Sequence, residues 1–254
     1  MSATDLAQQL ATARIDRTQI DPQLLEGLQD EAQAYQLQQL VGECYGSLQI
    51  GYKVGATNET SQKMFGCDSP FFGPMFERDC HDTGAVMESH AGLLGGEAEF
   101  AFVIDRDVPT DTNLSTDQLA TYVRAVHVAV ELVGRRSAGT GLPPLFAAIA
   151  DFGGNAAFIS GPAIRDWQSI DLAAVSVTAL TNRKETNAGS GAAVLGHPLN
   201  SLLWLHDTLR QRGTGLREGQ WITTGTCLGV IKPVADSTVE IDFAGCGQIS
   251  YRLT

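Results

Sequence analysis

The stretch Gly96-Glu97-Ala98-Glu99-Phe100-Ala101-Phe102-Val103-Ile104 constrains the fold more than any other part of the chain. Successive side chains of a strand point to opposite faces. As a strand, it sets Ala98, Phe100, Phe102 and Ile104 on one face, and Glu97, Glu99 and Ala101 on the other. The first face demands a core. The second holds two carboxylates side by side in an apolar segment. Two such charges about 4 Å apart repel by roughly 4 kcal/mol at an intermediate dielectric, so protons or a cation must relieve them. Glu131 closes a second apolar run, Val126-His127-Val128-Ala129-Val130, and is a candidate third partner. Three carboxylates with no adjacent His or Cys make a hard oxygen site, suited to Mg²⁺, Mn²⁺ or Ca²⁺ rather than Zn²⁺. The same alternation also fits the solvent face of an exposed sheet.

The rest of the chain divides by texture. Up to about Gly46 the pattern is helical, with Leu6, Leu10 and Ala13 at helical spacing, then Leu24, Leu25 and Leu28, then Ala34, Leu37, Leu40 and Val41. From Ile50 onward glycine becomes frequent and short β-prone runs alternate with turn signals. Strands are expected over residues 50–54, 97–104, 156–159, 175–180, 220–224, 239–243 and 248–253. The last two form a hairpin through Gly245 and Gly247. Helices are expected over residues 116–130, with Leu119, Tyr122, Val123, Val126 and Val130 on one face, and over 197–212, ending at Gly213. The expectation is an α+β fold dominated by a mixed or antiparallel sheet, with an N-terminal helical segment (residues 1–47) before a β-rich catalytic domain (residues 48–254).

Composition narrows the partners. Hydrophobic residues make up 43% of the 254 and charged residues 18%, enough for a sizeable core. The net charge of −12 disfavours nucleic acid and anionic membrane surfaces. No run approaches the roughly 18 apolar residues of a membrane span. Met1 to Gln9 lacks an export-signal pattern. The five cysteines are odd in number, widely spaced and without a CxxC, which points to reduced thiols in a cytoplasmic setting.

Several stretches, in order, resemble one family: Gly51-Tyr52-Lys53-Val54-Gly55, Glu97-Ala98-Glu99-Phe100-Ala101-Phe102-Val103, Glu131-Leu132-Val133-Gly134 with Arg136, Gly191 to Asn200 followed by Trp204-Leu205, Gly219, Thr223-Thr224-Gly225-Thr226, and Gly245-Cys246-Gly247. They span nearly the whole chain. The sequence is similar to the 2-oxopent-4-enoate hydratase and 4-oxalocrotonate decarboxylase branch of the fumarylacetoacetate hydrolase superfamily. The resemblance implies a rolled, β-rich mixed sheet with N-terminal helices, homo-oligomeric assembly, and a Mg²⁺ or Mn²⁺ site on Glu97, Glu99 and Glu131. It also implies a small unsaturated 2-oxo acid as substrate.

Other residues take expected roles from that match. Lys53 becomes a proton shuttle or a cation for the substrate carboxylate, although an outward-facing strand lysine is ordinarily solvated. Thr224, Gly225 and Thr226 become receivers of a substrate carboxylate, or else an ordinary turn. Asp151 is expected to orient Lys53 or a water, or to end a helix. Arg136 is expected to bind a distal carboxylate, or to form a salt bridge. His197, before Pro198, reads as a structural helix start, and His90 is a weaker candidate for water activation.

Three departures separate the chain from the pattern. Phe71 stands where the family commonly has an Asp at the distal end of the pocket, Phe152 stands where it has Asn, and Gly95 and Gly96 replace a Pro and a basic residue. They suggest a substrate with a bulkier or more apolar tail, provided that Phe71 and Phe152 face the site. Hydration of a 2-hydroxydienoate or 2-oxoenoate is the leading expectation. The alternatives are decarboxylation of a 2-oxo diacid, C–C hydrolysis of an acylpyruvate, and a metal-binding but catalytically silent subunit.

Overall fold

The computed structural model describes residues 1–254. Two helices open the chain, α1 (Ala3–Asp16) and α2 (Glu31–Tyr45). Ser2 and Asp5 close a capping box at the start of α1, and the Asp30 side chain accepts from the Gln33 N–H at the start of α2. The remaining elements are β1 (Gln49–Gly55), α3 (Glu59–Phe65), β2 (Phe71–Phe76), β3 (Cys80–Asp82), β4 (Ala85–Met87), β5 (Leu93–Ile104), α4 (Thr116–Ala120), β6 (Val123–Gly134), α5 (Leu145–Ala150), β7 (Asn155–Ala163), β8 (Ser176–Thr181), β9 (Lys184–Ser190), α6 (Pro198–Gln211), β10 (Trp221–Thr223), β11 (Val230–Ile231), β12 (Ser237–Phe243) and β13 (Gly247–Leu253). No helix is long and apolar enough to cross a membrane. All five cysteines are free.

The strands form two mixed sheets. The larger runs β2-β1-β10-β5-β6-β7-β3, with β11 added to β5. Most pairs are antiparallel, but β1–β10 and β3–β7 are parallel. The smaller sheet runs β4-β13-β12-β8-β9. The expected alternation of β5 holds. Ala98, Phe100, Phe102 and Ile104 join the main core, where they meet Val177, Ile241, Phe243 and Ile249 of the smaller sheet. Phe100 sits edge-on to Phe243 with ring centroids 5.3 Å apart. The opposite face of β5 is not solvent-exposed either, because Ala101 packs with Met75, Ala129 and Phe158. A third cluster ties the N-terminal helices to the sheet: Ala7, Leu10, Leu37, Val41 and Tyr45 pack on Phe76, Ala147, Ala150 and Phe152.

The expected helix over residues 116–130 needs correction. Only α4 is helical there; the chain turns at Thr121–Tyr122 and continues as β6. Helical spacing of its apolar residues was coincidental. The strand lies between β5 and β7, buried on both faces, so it carries no clean alternation to betray it. Its valines favour the extended state because β-branching restricts χ1 in a helix. Five other strands, β2, β3, β4, β9 and β11, gave no signal, and β2 and β9 are the longest of them. β2 contains Gly73 and Pro74, but it is an edge strand, where a missing N–H is tolerated. Gly73 is required there: a Cβ would lie 2.0 Å from the Phe152 carbonyl oxygen. β9 is a polar edge strand with no apolar face.

Phe100 joins the two sheets and is fully buried. Phe100→Ala is expected to cost about 3–5 kcal/mol by leaving a cavity. Thermal denaturation followed by circular dichroism should show a fall in Tm on the order of 10 °C. A change within 2 °C, on the same scale, would show that the sheets do not share this core.

Candidate metal centre

The register of β5 and β6 builds the site. Glu97 stands directly opposite Glu131, and Glu99 stands opposite the small Ala129. One carboxylate oxygen from each of the three glutamates can be chosen so that all lie within 4.8 Å of one another. Glu99 and Glu131 are fully buried, whereas Glu97 is partly exposed at the mouth. The exposed-strand alternative is thereby excluded.

Each buried carboxylate has one oxygen tied by a hydrogen bond. Glu99 Oε2 accepts from the Gly225 N–H at 2.7 Å, and Glu131 Oε1 accepts from Asn155 Nδ2 at 3.0 Å. Glu99 Oε1 and Glu131 Oε2 have no hydrogen-bond partner. Lys53 reaches the cluster from β1. Its Nζ lies 3.3 Å from Glu131 Oε2, donates to the Gly153 carbonyl at 3.0 Å, and stands 5.7 Å from the Phe71 ring centroid. The carbonyl is delivered by an unusual backbone: Phe152, Gly153 and Gly154 all have positive φ, at 54°, 64° and 77°.

Burial raises the Glu97 carboxyl from 4.5 to about 7, against the pull of Lys53. Burial, then Glu131 and Glu97, push Glu99 well above the carboxylate range. Burial alone would lower the Lys53 ammonium, but Glu131, then Glu97 and Glu99, more than reverse that. One ammonium does not balance three carboxylates. Unpartnered buried carboxylate oxygens, converging from rigid strands, are the donor set of a hard divalent cation, so the residues fit such an ion.

Glu97 opens onto a cavity of about 100 Å³ lined also by Lys53, Phe65, Phe71, Leu142, Gly225 and Thr226, among others. Lys53 and Glu97 are its only charged side chains. Phe71 faces this cavity, braced edge-on by Phe65 at 5.1 Å. Phe152 does not. It turns into the helical cluster against Phe76 and Tyr45, with ring centroids 4.9 and 5.8 Å away. Of the two departures expected to make the pocket apolar, only Phe71 acts on it.

Other expected residues lie elsewhere or are already engaged. Both Asp151 oxygens accept from Arg136, at 2.7 Å each, so the pair is closed on itself and lines no part of this cavity. Thr224 is fully buried with its hydroxyl on the Phe100 carbonyl. Thr226 Oγ1 donates to the Gly229 carbonyl. The Gly225 N–H serves Glu99, and only glycine fits there, since φ is 101° and a Cβ would lie 2.0 Å from Thr57 Oγ1. His90 Nδ1 accepts from the Gly92 N–H in a separate cavity beside Arg136. His197 caps α6 by accepting from the Leu199 N–H. Asn155 and Gly153 escaped notice in the sequence. Asn155 lies 24 residues from Glu131, and no local pattern marks either contact.

Known proteins place the chain. Residues 74–254 match the family described as fumarylacetoacetate (FAA) hydrolase C-terminal. The chain belongs to the fumarylacetoacetate hydrolase family. Within and around that family, it is 31% identical over 230 residues to the 2-keto-4-pentenoate hydratase of Burkholderia vietnamiensis (strain G4 / LMG 22486), covering 89% of this chain and 87% of the relative. It is 28% identical to the 2-hydroxyhexa-2,4-dienoate hydratase of Comamonas testosteroni, covering 84% and 81%. The fold matches 4-oxalocrotonate decarboxylase from Pseudomonas putida G7, solved with magnesium and adipate, at a TM-score of 0.90 and 24% identity, covering 99% of this chain and 97% of that one. The chain thus has the curled mixed sheet and flanking helices of the fumarylacetoacetate hydrolase fold.

A raised carboxyl makes stability depend on pH. The folded chain holds the Glu97 proton more tightly than the unfolded chain, so this contribution is complete below 4.5 and is lost as pH rises through about 7. In EDTA, the Tm should fall between about pH 5 and pH 8, and Mg²⁺ should restore more of it at the higher pH. Glu97→Gln should flatten that profile; an unchanged profile in the variant would disprove the origin at Glu97.

Proposed function

We propose that this chain is a divalent-metal-dependent hydro-lyase that adds water to a small 2-hydroxydienoate or 2-oxoenoate of the 2-oxopent-4-enoate type, in the catabolism of aromatic compounds. The carrying observation is the convergence of the Glu97, Glu99 and Glu131 carboxylates beside Lys53, with Glu97 and Lys53 lining a cavity whose other walls carry no charge. The hydratase names of its relatives point to the same chemistry.

Glu97, Glu99 and Glu131 would hold the ion, Mg²⁺ or Mn²⁺. When bound, it supplies a Lewis acid for the 2-oxo oxygen, where negative charge develops as the enol forms. Lys53 brings a charged ammonium to the same end of the cavity, fixed between Glu131 and the Gly153 carbonyl. It can meet the substrate carboxylate or hand a proton to the substrate, and its fixed geometry removes reorganisation at the reacting centre. Phe65, Phe71 and Leu142 pack the carbon chain and limit bulk water to what the site admits.

The charge census also ranks the alternatives. A second carboxylate at the far end of a substrate would meet Phe71 and other apolar side chains, with no cation beyond Lys53. Arg136, the expected distal partner, is spent on Asp151. A monoacid suits this cavity better than a 2-oxo diacid, which favours hydration over decarboxylation of the oxalocrotonate kind. Burying an unpaired carboxylate costs several kcal/mol.

Loss of the ultraviolet absorbance of 2-hydroxypenta-2,4-dienoate should report turnover with Mg²⁺ or Mn²⁺ that EDTA abolishes. Glu97→Gln/Glu99→Gln should lose both metal binding and turnover. Lys53→Met should keep metal and lower kcat by about 10²–10⁴-fold. Tight metal binding without turnover of this dienoate would discard the hydratase assignment.

A further inference from the structure

Glu131 Oε2 has the Lys53 ammonium 3.3 Å away and no hydrogen bond of its own, while a separate group holds Oε1. That group is Asn155, fully buried at the first residue of β7, whose Nδ2 donates to Glu131 Oε1 at 3.0 Å. An amide can present either end. Here its Oδ1 accepts from Arg14 Nη2 at 2.9 Å. Arginine only donates and an ionised carboxylate only accepts, so a single amide orientation satisfies both neighbours. Arg14 is itself immobilised. Its Nη2 reaches Asp79 Oδ2 at 2.8 Å, another nitrogen donates to the Asn155 carbonyl, and its guanidinium lies 4.9 Å from the Phe152 ring centroid. Tyr45 donates to the remaining Asp79 oxygen at 2.8 Å.

We infer that Arg14 and Asn155 are positioning residues for the metal centre: Arg14 of α1 locks the Asn155 amide, which turns Glu131 so that Oε2 faces the ion. The inference rests on the reading of Glu97, Glu99 and Glu131 as the ligands. An amide suits this place because it donates a hydrogen bond without adding a charge, leaving the carboxylate charge for the cation. Partners that orient a ligand from behind typically change metal affinity by about 10–100-fold. The arrangement also makes the N-terminal helix part of the metal centre, although it contributes no ligand.

The test is Mn²⁺ affinity by titration, with the Mn²⁺ electron paramagnetic resonance spectrum as a second readout. Wild type should bind and Glu131→Gln should not; failure of that pair would remove the ligand reading itself, before positioning is asked. Given that pair, Asn155→Leu and Arg14→Met should each weaken Mn²⁺ by about 10–100-fold and alter the bound-ion spectrum. Arg14→Lys, keeping charge and one donor, should recover part of the affinity. Leu10→Ala also loosens α1 through its apolar cluster but removes no side-chain hydrogen bond to Arg14, Asn155 or Glu131, and should leave Mn²⁺ affinity within about threefold at a comparable loss of Tm. If Asn155→Leu does not fold, the comparison of Arg14→Met, Arg14→Lys and Leu10→Ala decides. Wild-type affinity in the Arg14 variants, or an equal loss in Leu10→Ala, overturns the inference.

Discussion

Three carboxylates held together in a protein interior oppose folding, and much of this structure is arranged around that repulsion. The register of β5 and β6 brings Glu97 and Glu131 face to face. Water, which would screen them at a surface, is kept from Glu99 and Glu131. What remains is a few fixed donors: the Gly225 N–H, the Asn155 amide and the Lys53 ammonium. The first two hold the Glu99 Oε2 and Glu131 Oε1 oxygens, and the ammonium lies 3.3 Å from Glu131 Oε2. A site of this kind is under-compensated by its fixed donors, and protons or a divalent cation would relieve it.

The same logic explains details that otherwise look unrelated. Phe152 adopts a left-handed backbone rarely taken by a bulky residue, yet this sends the Gly153 carbonyl to Lys53 and the ring under Arg14. Gly73 has no side chain because the Phe152 carbonyl occupies that space. Gly225 has none because Thr57 does. The strained turn after α5 therefore serves two sides of the centre at once, the ammonium on one and the guanidinium on the other. The Arg136–Asp151 pair closes the start of that turn, the salt bridge that was one of the two roles expected for Arg136.

Much of this was legible in the sequence where periodicity was clean. The alternation in residues 97–104 revealed a strand with two opposed faces, and the terminal hairpin and α6 were equally plain. Legibility failed in β6. It has apolar side chains on both faces, so its periodicity did not distinguish it from a helix, whereas β5, also buried on both faces, kept a visible alternation through its paired glutamates. Edge strands failed in the opposite way: β9 is polar, and β2 is interrupted by glycine and proline that its edge position permits.

By itself, the sequence determined which side chains share the carboxylate-bearing side of β5, the hard-oxygen character of that cluster, and the apolar residue at Phe71. These follow from local geometry and from the identity of the donors. Only the tertiary structure decided which residues serve the site from behind. Asn155, Arg14 and Gly153 act through contacts 24, 141 and 100 residues apart in sequence. Hydrogen bonds between such distant groups depend on how strands and helices pack, and no spacing along the chain encodes them. The same packing sent Phe152 away from the pocket and closed Arg136 on Asp151, because a side chain's direction is set by its neighbours in space.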